Sequence, residues 1–234
     1  MPKVRHWFAI PLVLFAAALA LGLVAAHTSL LQPHELQWNT DIQKARSSGL
    51  NSAMLHIADV ASPVAGLLII VLITGFFLVR HRPVQAVATF LVIAVGWNSS
   101  EIAKVIVMRH RPPTQFSLAP ETGSNSFPSG HVAFAVSLAI GLVFLAIGTR
   151  WLKPVLVLGA LWTLLIAYTR LYIGAHYPTD IIGSVLVSSS AIIFLTGLWH
   201  TWIKDNLYRV PLLDKFGPVP GPTASVEQYA SAAS

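Results

Sequence analysis

The chain is predicted to fold as an all-α bundle of six transmembrane helices, and three observations support that prediction. Hydrophobic residues make up 55% of it and charged residues only 10%, where soluble domains carry about 25% charged residues. Its mean hydropathy is +0.68. Six apolar runs lie between more polar links, each near the ~20 residues that cross a hydrocarbon core.

Taken in order, the first run covers about 7–26. Lys3 and Arg5 before it and Ala25-Ala26 near its end also fit a signal peptide, but the stretch exceeds the ~7–15 apolar residues of a signal core, which favours an uncleaved span. The second and third runs cover 62–79 and 84–107. Asn98, Glu101 and Lys104 interrupt the second half of the third, a pattern a membrane helix tolerates where its end faces a water-filled site. The fourth, fifth and sixth runs cover 131–147, 151–168 and 181–199. Residues 1–204 are thus expected to form one integral membrane domain.

The links are informative as well. Residues 27–61 are long and mixed, and Leu55, Ile57 and Val60 among polar neighbours predict an interfacial helix over 51–60. Residues 113–127, with Pro113, Pro120 and Gly123, read as an irregular loop suited to serve as a lid or an entrance. The tail, 205–234, is punctuated by Pro211, Pro218, Pro220 and Pro222 and is expected to be disordered and cytoplasmic. Without cysteine, neither disulfides nor thiolate chemistry contributes. No nucleotide-binding GxxxxGK[ST] loop occurs.

The net charge of +6 raises the question of nucleic acid, but the distribution of the charges points to a membrane. Placing the N-terminus in the cytoplasm puts nine of the 15 basic residues inside: Lys3, Arg5, Arg80, Arg82, Arg150, Lys153, Lys204, Arg209 and Lys215. That bias follows the positive-inside rule and predicts both termini cytoplasmic. Of the remaining six, Lys44, Arg46 and Arg109 read as ordinary outside charges, with Arg109 and His110 solvated or facing headgroups. The other three are Lys104, Arg111 and Arg170.

Those three cations belong to three short segments that all fall at the outer ends of the predicted spans: KVIVMRHRP (104–112), PSGH (128–131) and TRLYIGAHYPTD (169–180). Guanidinium forks bind phosphate oxygens bidentately, and an ammonium adds a compact point charge. Ser129, Gly130 and His131 directly precede an apolar helix, so they sit at an N-terminus whose free N–H groups favour an anion. Gly130 lets backbone approach phosphate closely. His176 and Asp180 are one helical turn apart, with Pro178 suited to the first turn. A carboxylate on one imidazole nitrogen fixes the tautomer and leaves the other nitrogen available for attack. Lys104, inside the end of a span, needs a partner, and Glu101 three residues earlier is the expected one.

Together the segments resemble the type-2 phosphatidic acid phosphatase superfamily, which also includes vanadium-dependent haloperoxidases and carries KxxxxxxRP, PSGH and SRxxxxxHxxxD. Thr169 stands where that pattern has Ser. The resemblance implies a helical core of that kind and metal-independent hydrolysis of a lipid phosphate or diphosphate, such as undecaprenyl diphosphate, phosphatidic acid or phosphatidylglycerol phosphate, at the outer membrane face. It also implies the roles. His176 attacks phosphorus with Asp180 orienting it, His131 protonates the leaving oxygen, and a phosphohistidine forms. Lys104, Arg111, Ser129, Gly130 and Arg170 hold the phosphate oxygens, with no cofactor and no metal.

A Zn²⁺ site from His131, His176 and Asp180 is the chemical rival, but three convergent cations would repel a dication and already supply its electrostatic effect. Two further alternatives are a lipid phosphotransferase using the same phosphohistidine, and a non-enzymatic transporter or scaffold. The partners expected are the lipid substrate and the bilayer, with no nucleic acid.

Overall fold

The computed structural model describes residues 1–121 and 123–219, which are built from helices joined by loops and contain no strand. Eight helices carry the architecture: α1 (Ala9–His27), α2 (Gln32–Gln43), α3 (Ser48–Val60), α4 (Pro63–Val79), α5 (Pro83–Val107), α6 (Gly130–Ala146), α7 (Leu152–Tyr172) and α8 (Pro178–Leu198). Local chemistry sets several starts. The Ser47 and Ser62 hydroxyls accept from the Leu50 and Ala65 N–H groups, and Pro63, Pro83 and Pro178 each occupy a first turn, where the missing N–H costs nothing.

The six predicted runs coincide with α1, α4, α5, α6, α7 and α8. Four helices (α1, α5, α7 and α8 with its continuation) are long and apolar enough to cross a membrane, and α3 with α4, bent by 49° at their junction, would make a fifth. The chain is a membrane protein. α6 has 17 residues, which at 1.5 Å per residue reach about 25 Å, short of a ~30 Å hydrocarbon core.

α8 lies at the centre, against α1, α5 and α6, while α7 covers α6 and α4 covers α5. Because these helices are apolar almost all round, no amphipathic stripe selects the buried face, and small residues that allow close approach do so instead. Phe127, fully buried, is wedged between Gly22 of α1 and Gly183 of α8. A Cβ on Gly22 would lie 2.6 Å from its ring. This wedge anchors the chain immediately before Ser129. Outward faces such as Leu67, Leu68, Val71 and Leu72 of α4 remain exposed, as lipid-facing side chains should.

Two regions depart from the sequence reading. Residues 27–61 hold two helices, α2 as well as the expected one; the first is polar, so no apolar periodicity announced it. After α8 the chain winds through short helical turns as far as Asp214 and buries Leu207 and Leu213 against Trp199. The first part of the segment expected to be disordered is thus packed, because these apolar side chains find a surface on α5. Residues 220–234 of that tail lie outside the described residues.

Candidate active site

Four helix ends meet at one pole of the bundle: the C-termini of α5 and α7 and the N-termini of α6 and α8. Together they bring the three segments, the third of which links α7 to α8. Lys104, Arg111, Gly130, His131 and His176 line a single cavity of about 420 Å³, with Glu101 and Glu121 and an apolar wall of Ala61, Pro63, Leu67 and Trp97.

The turn between α7 and α8 sets the position of His176. Gly174 has φ +77° and completes a Schellman closure, in which the Gly174 N–H donates to Leu171 O and the Ala175 N–H to Arg170 O. The reversal sends His176 back over the α7 terminus. Gly174→Ala is expected to cost about 1–2 kcal/mol from the left-handed backbone alone, and a Cβ there would also collide with the Phe116 carbonyl. A lower thermal unfolding midpoint in detergent checks this, and an unchanged midpoint refutes it.

His176 is 1% exposed. Its Nδ1 faces Asp180 Oδ2 at 3.3 Å, and its Nε2 faces Arg111 Nη1 at 3.3 Å. The arrangement fits an Nδ1–H donating to the carboxylate, which leaves the Nε2 lone pair accepting from Arg111 and aimed at the cavity. Burial pushes the imidazole down from its ordinary 6.5 to about 4, with Arg170 and Arg111 adding to the fall and Asp180 opposing it. At neutral pH His176 is therefore uncharged.

Asp180 is fully buried and saturated with donors. Oδ2 accepts from the Tyr177 N–H at 2.9 Å and from the Ser126 hydroxyl, and Oδ1 accepts from Arg109 Nη1 at 2.6 Å. Asp180 is also the third residue of α8, where its carboxylate on the Tyr177 N–H caps the helix.

The cations are each held. Arg111 donates to Ala175 O and Asn125 Oδ1 and pairs with Glu121 at 2.8 Å. Arg170 pairs with the other oxygen of the same Glu121. Burial works against the Glu121 charge, but Arg170 and then Arg111 outweigh it, and the carboxyl stays below the ordinary carboxylate range. Lys104 pairs with Glu101 at 2.6 Å, as expected. A Cβ on Gly130 would come within 3.2 Å of the Lys104 Nζ, so the bare glycine makes room for the ammonium. Ser129 is the residue before α6, and its buried hydroxyl has no partner among the described residues.

Arg109 is not solvated, contrary to the sequence expectation. It is 3% exposed, paired with Asp180 and with Glu35 of α2, and its guanidinium lies 4.0 Å over the Tyr177 ring. Burial opposes its charge, yet Asp180 and Glu35 hold it above its ordinary pKa. The physical reason is the backbone at Met108, which ends α5 in the left-handed region (φ 52°) and turns the next residue inward. Arg46, also expected to be an ordinary outside charge, donates to the carbonyls of Phe116 and Tyr172. Sequence reasoning missed Glu35, Asn39, Glu121 and Ser126. The available signal for Glu35 was Pro33 followed by an acidic residue, a helix-start pattern.

A family model described as the PAP2 superfamily matches residues 84–204. The undecaprenyl-diphosphatase BcrC of Bacillus subtilis is 30% identical over 145 residues, 61% of this chain and 71% of that protein. The undecaprenyl-diphosphatase of Sulfolobus acidocaldarius is 26% identical over 145 residues, which are 60% of this chain and 66% of that protein, just under two thirds of its length. The crystal structure of the transmembrane PAP2 type phosphatidylglycerolphosphate phosphatase of Bacillus subtilis is similar with a TM-score of 0.69 and 25% identity, over 84% of this chain and 98% of that one.

Proposed function

The chain belongs to the PAP2 superfamily, and from that premise we propose that it hydrolyses a lipid phosphate or diphosphate through a phosphohistidine, at the outer face of a membrane crossed by six helices. The observation that carries this reading is the meeting of Lys104, Arg111, His131 and His176 around one cavity that is also lined by apolar residues. Cations and a neutral imidazole suit a phosphoryl group; the Ala61, Pro63, Leu67 and Trp97 wall suits a lipid chain.

In the proposed reaction His176 Nε2 attacks phosphorus, the bond from phosphorus to the leaving oxygen breaks, and His131 gives that oxygen a proton. Water then attacks the phosphohistidine, passes a proton to His131, and the P–N bond breaks to release phosphate. Arg111, Arg170 and Lys104 balance the charge on the equatorial oxygens. The Ser129 hydroxyl and the free N–H groups of the first turn of α6 supply further donors. Those cations take the part a metal ion would play, so the reaction is read as metal-independent. Charge segregation supports the proposed orientation, with the cavity outside and both termini in the cytoplasm: Arg80, Arg82 and Arg150 in the loops at the pole opposite the cavity, and Lys153 in the first turn of α7, are the basic residues expected on a cytoplasmic side.

Undecaprenyl diphosphate is the leading substrate, supported by the relatives of that name. The test is phosphate release by the purified protein in detergent with EDTA, from undecaprenyl diphosphate and phosphatidic acid. Release to water supports hydrolysis. Transfer to an added lipid acceptor instead would support a phosphotransferase, and no release from either lipid would overturn the reading.

Glu121 occupies the space between the two arginines that this reading assigns to the phosphate. Its carboxylate competes with the substrate anion, so Glu121→Gln is expected to lower KM about 5-fold, equivalent to an ion-pair energy of ~1 kcal/mol at a partly exposed site. A raised KM in that variant would show that Glu121 assists binding.

A further inference from the structure

α2 is a polar helix lying at the site pole, and two of its side chains, Glu35 and Asn39, are buried there at 5% and 3% exposure. They are one turn apart and so share a face. Buried polar groups on a surface helix must be satisfied by something specific, and both reach the segment that carries the nucleophile. Asn39 Nδ2 donates to the His176 carbonyl at 2.9 Å. Glu35 Oε1 accepts from the Thr179 N–H at 2.9 Å and from the Thr179 hydroxyl at 2.6 Å, at the first turn of α8. Glu35 Oε2 holds Arg109 Nη2, whose Nη1 in turn donates to Asp180 Oδ1 and to Thr179 Oγ1.

The result is a chain of fixed groups from α2 to the imidazole: Glu35, Arg109, Asp180, His176. None of the first three lines the cavity. Each link constrains the next. The Arg109 fork spans two carboxylates at once, a geometry that a guanidinium supplies and an ammonium does not. Asp180, clamped on Oδ1 by Arg109, keeps Oδ2 turned to His176 Nδ1 and so sets where Nε2 points. Asn39 holds the backbone carbonyl of His176 itself.

The geometry points to Glu35, Asn39 and Arg109 as positioning residues for the His176 nucleophile, a role that rests on the reading of His176 proposed above. They touch no reacting atom. Removing one leaves substrate binding intact but lets the imidazole drift from its line of attack, so the loss falls on kcat and not on KM.

The test compares Glu35→Gln, Arg109→Lys, Asn39→Ala and His176→Ala with the wild type, each as the full chain in detergent, with phosphate release from undecaprenyl diphosphate and phosphatidic acid measured over a range of concentrations. Glu35→Gln keeps an acceptor for Thr179 while losing the charge that faces Arg109; Arg109→Lys keeps the charge while losing the fork. The expected result is a fall in kcat of about 10-fold or more in each of the three, as for supporting residues around other centres, with KM within about twofold. Wild-type kcat in these variants, or a raised KM with kcat unchanged, overturns the inference. Breaking a buried ion pair is strongly destabilising, so if the Glu35 and Arg109 variants aggregate, Asn39→Ala decides by the same criterion. Activity retained by His176→Ala would remove the functional reading itself and this inference with it. Loss of activity in His176→Ala beside undiminished kcat in the other three would remove the inference alone.

Discussion

Replacing His176 with Ala is expected to reduce phosphate release by about 10³-fold or more, because under the proposed mechanism it forms the covalent intermediate and has no substitute in the site. Burial and the Asp180 contact make this the strongest candidate nucleophile: the ring is 1% exposed, its Nδ1 is committed to a carboxylate, and its Nε2 is turned to the cavity beside Arg111. The same environment sets a pH signature. The imidazole is pushed down to about 4, so in the free enzyme it is neutral, and competent to attack, throughout the range above about pH 4. The acid limb of kcat/KM attributable to this group is therefore expected near pH 4, well below the 6.5 of an unperturbed histidine, with activity lost as pH falls through it. Phosphate release from lipid substrate across pH 3.5 to 8 measures both points. Substantial turnover in the variant would defeat the assignment of His176, and a limb near 6.5 would show that the ring is charged and solvated in the resting enzyme.

Arg170→Ala is the second large effect expected, a fall in kcat/KM of about 10²–10³-fold, the range seen when one preorganised donor to a developing anion is removed. Arg170 is 2% exposed, so its guanidinium acts in a site largely closed to water. Its Nε has no partner among the described residues, which leaves a donor available to a bound phosphate beyond the Nη2 that holds Glu121. Arg170→Lys is expected to recover only part of the loss, since the ammonium restores charge but not the two-pronged geometry. Full activity in Arg170→Lys would mean that charge alone is used, and full activity in Arg170→Ala would exclude the residue from phosphate binding. Measuring kcat and KM separately for both variants makes the distinction.

Much of the site could be read from residue spacing because its parts are local. His176 and Asp180 meet within one helical turn; Glu101 and Lys104 meet on adjacent positions of one helix face; Ser129 and Gly130 derive their place from the start of an apolar run. Short-range geometry of this kind follows from the 3.6-residue period and from capping. Helix count was harder. α6 spans 17 residues, and hydropathy by itself does not distinguish a short crossing helix from a buried core helix.

The chain's composition and apolar runs determined by themselves that it is an all-helical membrane protein, and the spacing of three segments singled out the residues proposed to carry phosphate chemistry. Only the tertiary structure decided what stands behind them. Arg109 is flanked by Met108 and His110, both exposed, and nothing in the order of residues marks it as buried; the left-handed turn at Met108 takes it inward to Asp180, 71 positions away, and to Glu35, 74 positions away. The same holds for Glu121, whose role as a bridge between Arg111 and Arg170 depends on how an irregular loop folds over the pole. Contacts between residues so far apart depend on which helix faces meet. In a chain whose helices are apolar on nearly every side, hydrophobic patterning leaves that choice open, and close packing around small residues such as Gly22 and Gly183 makes it.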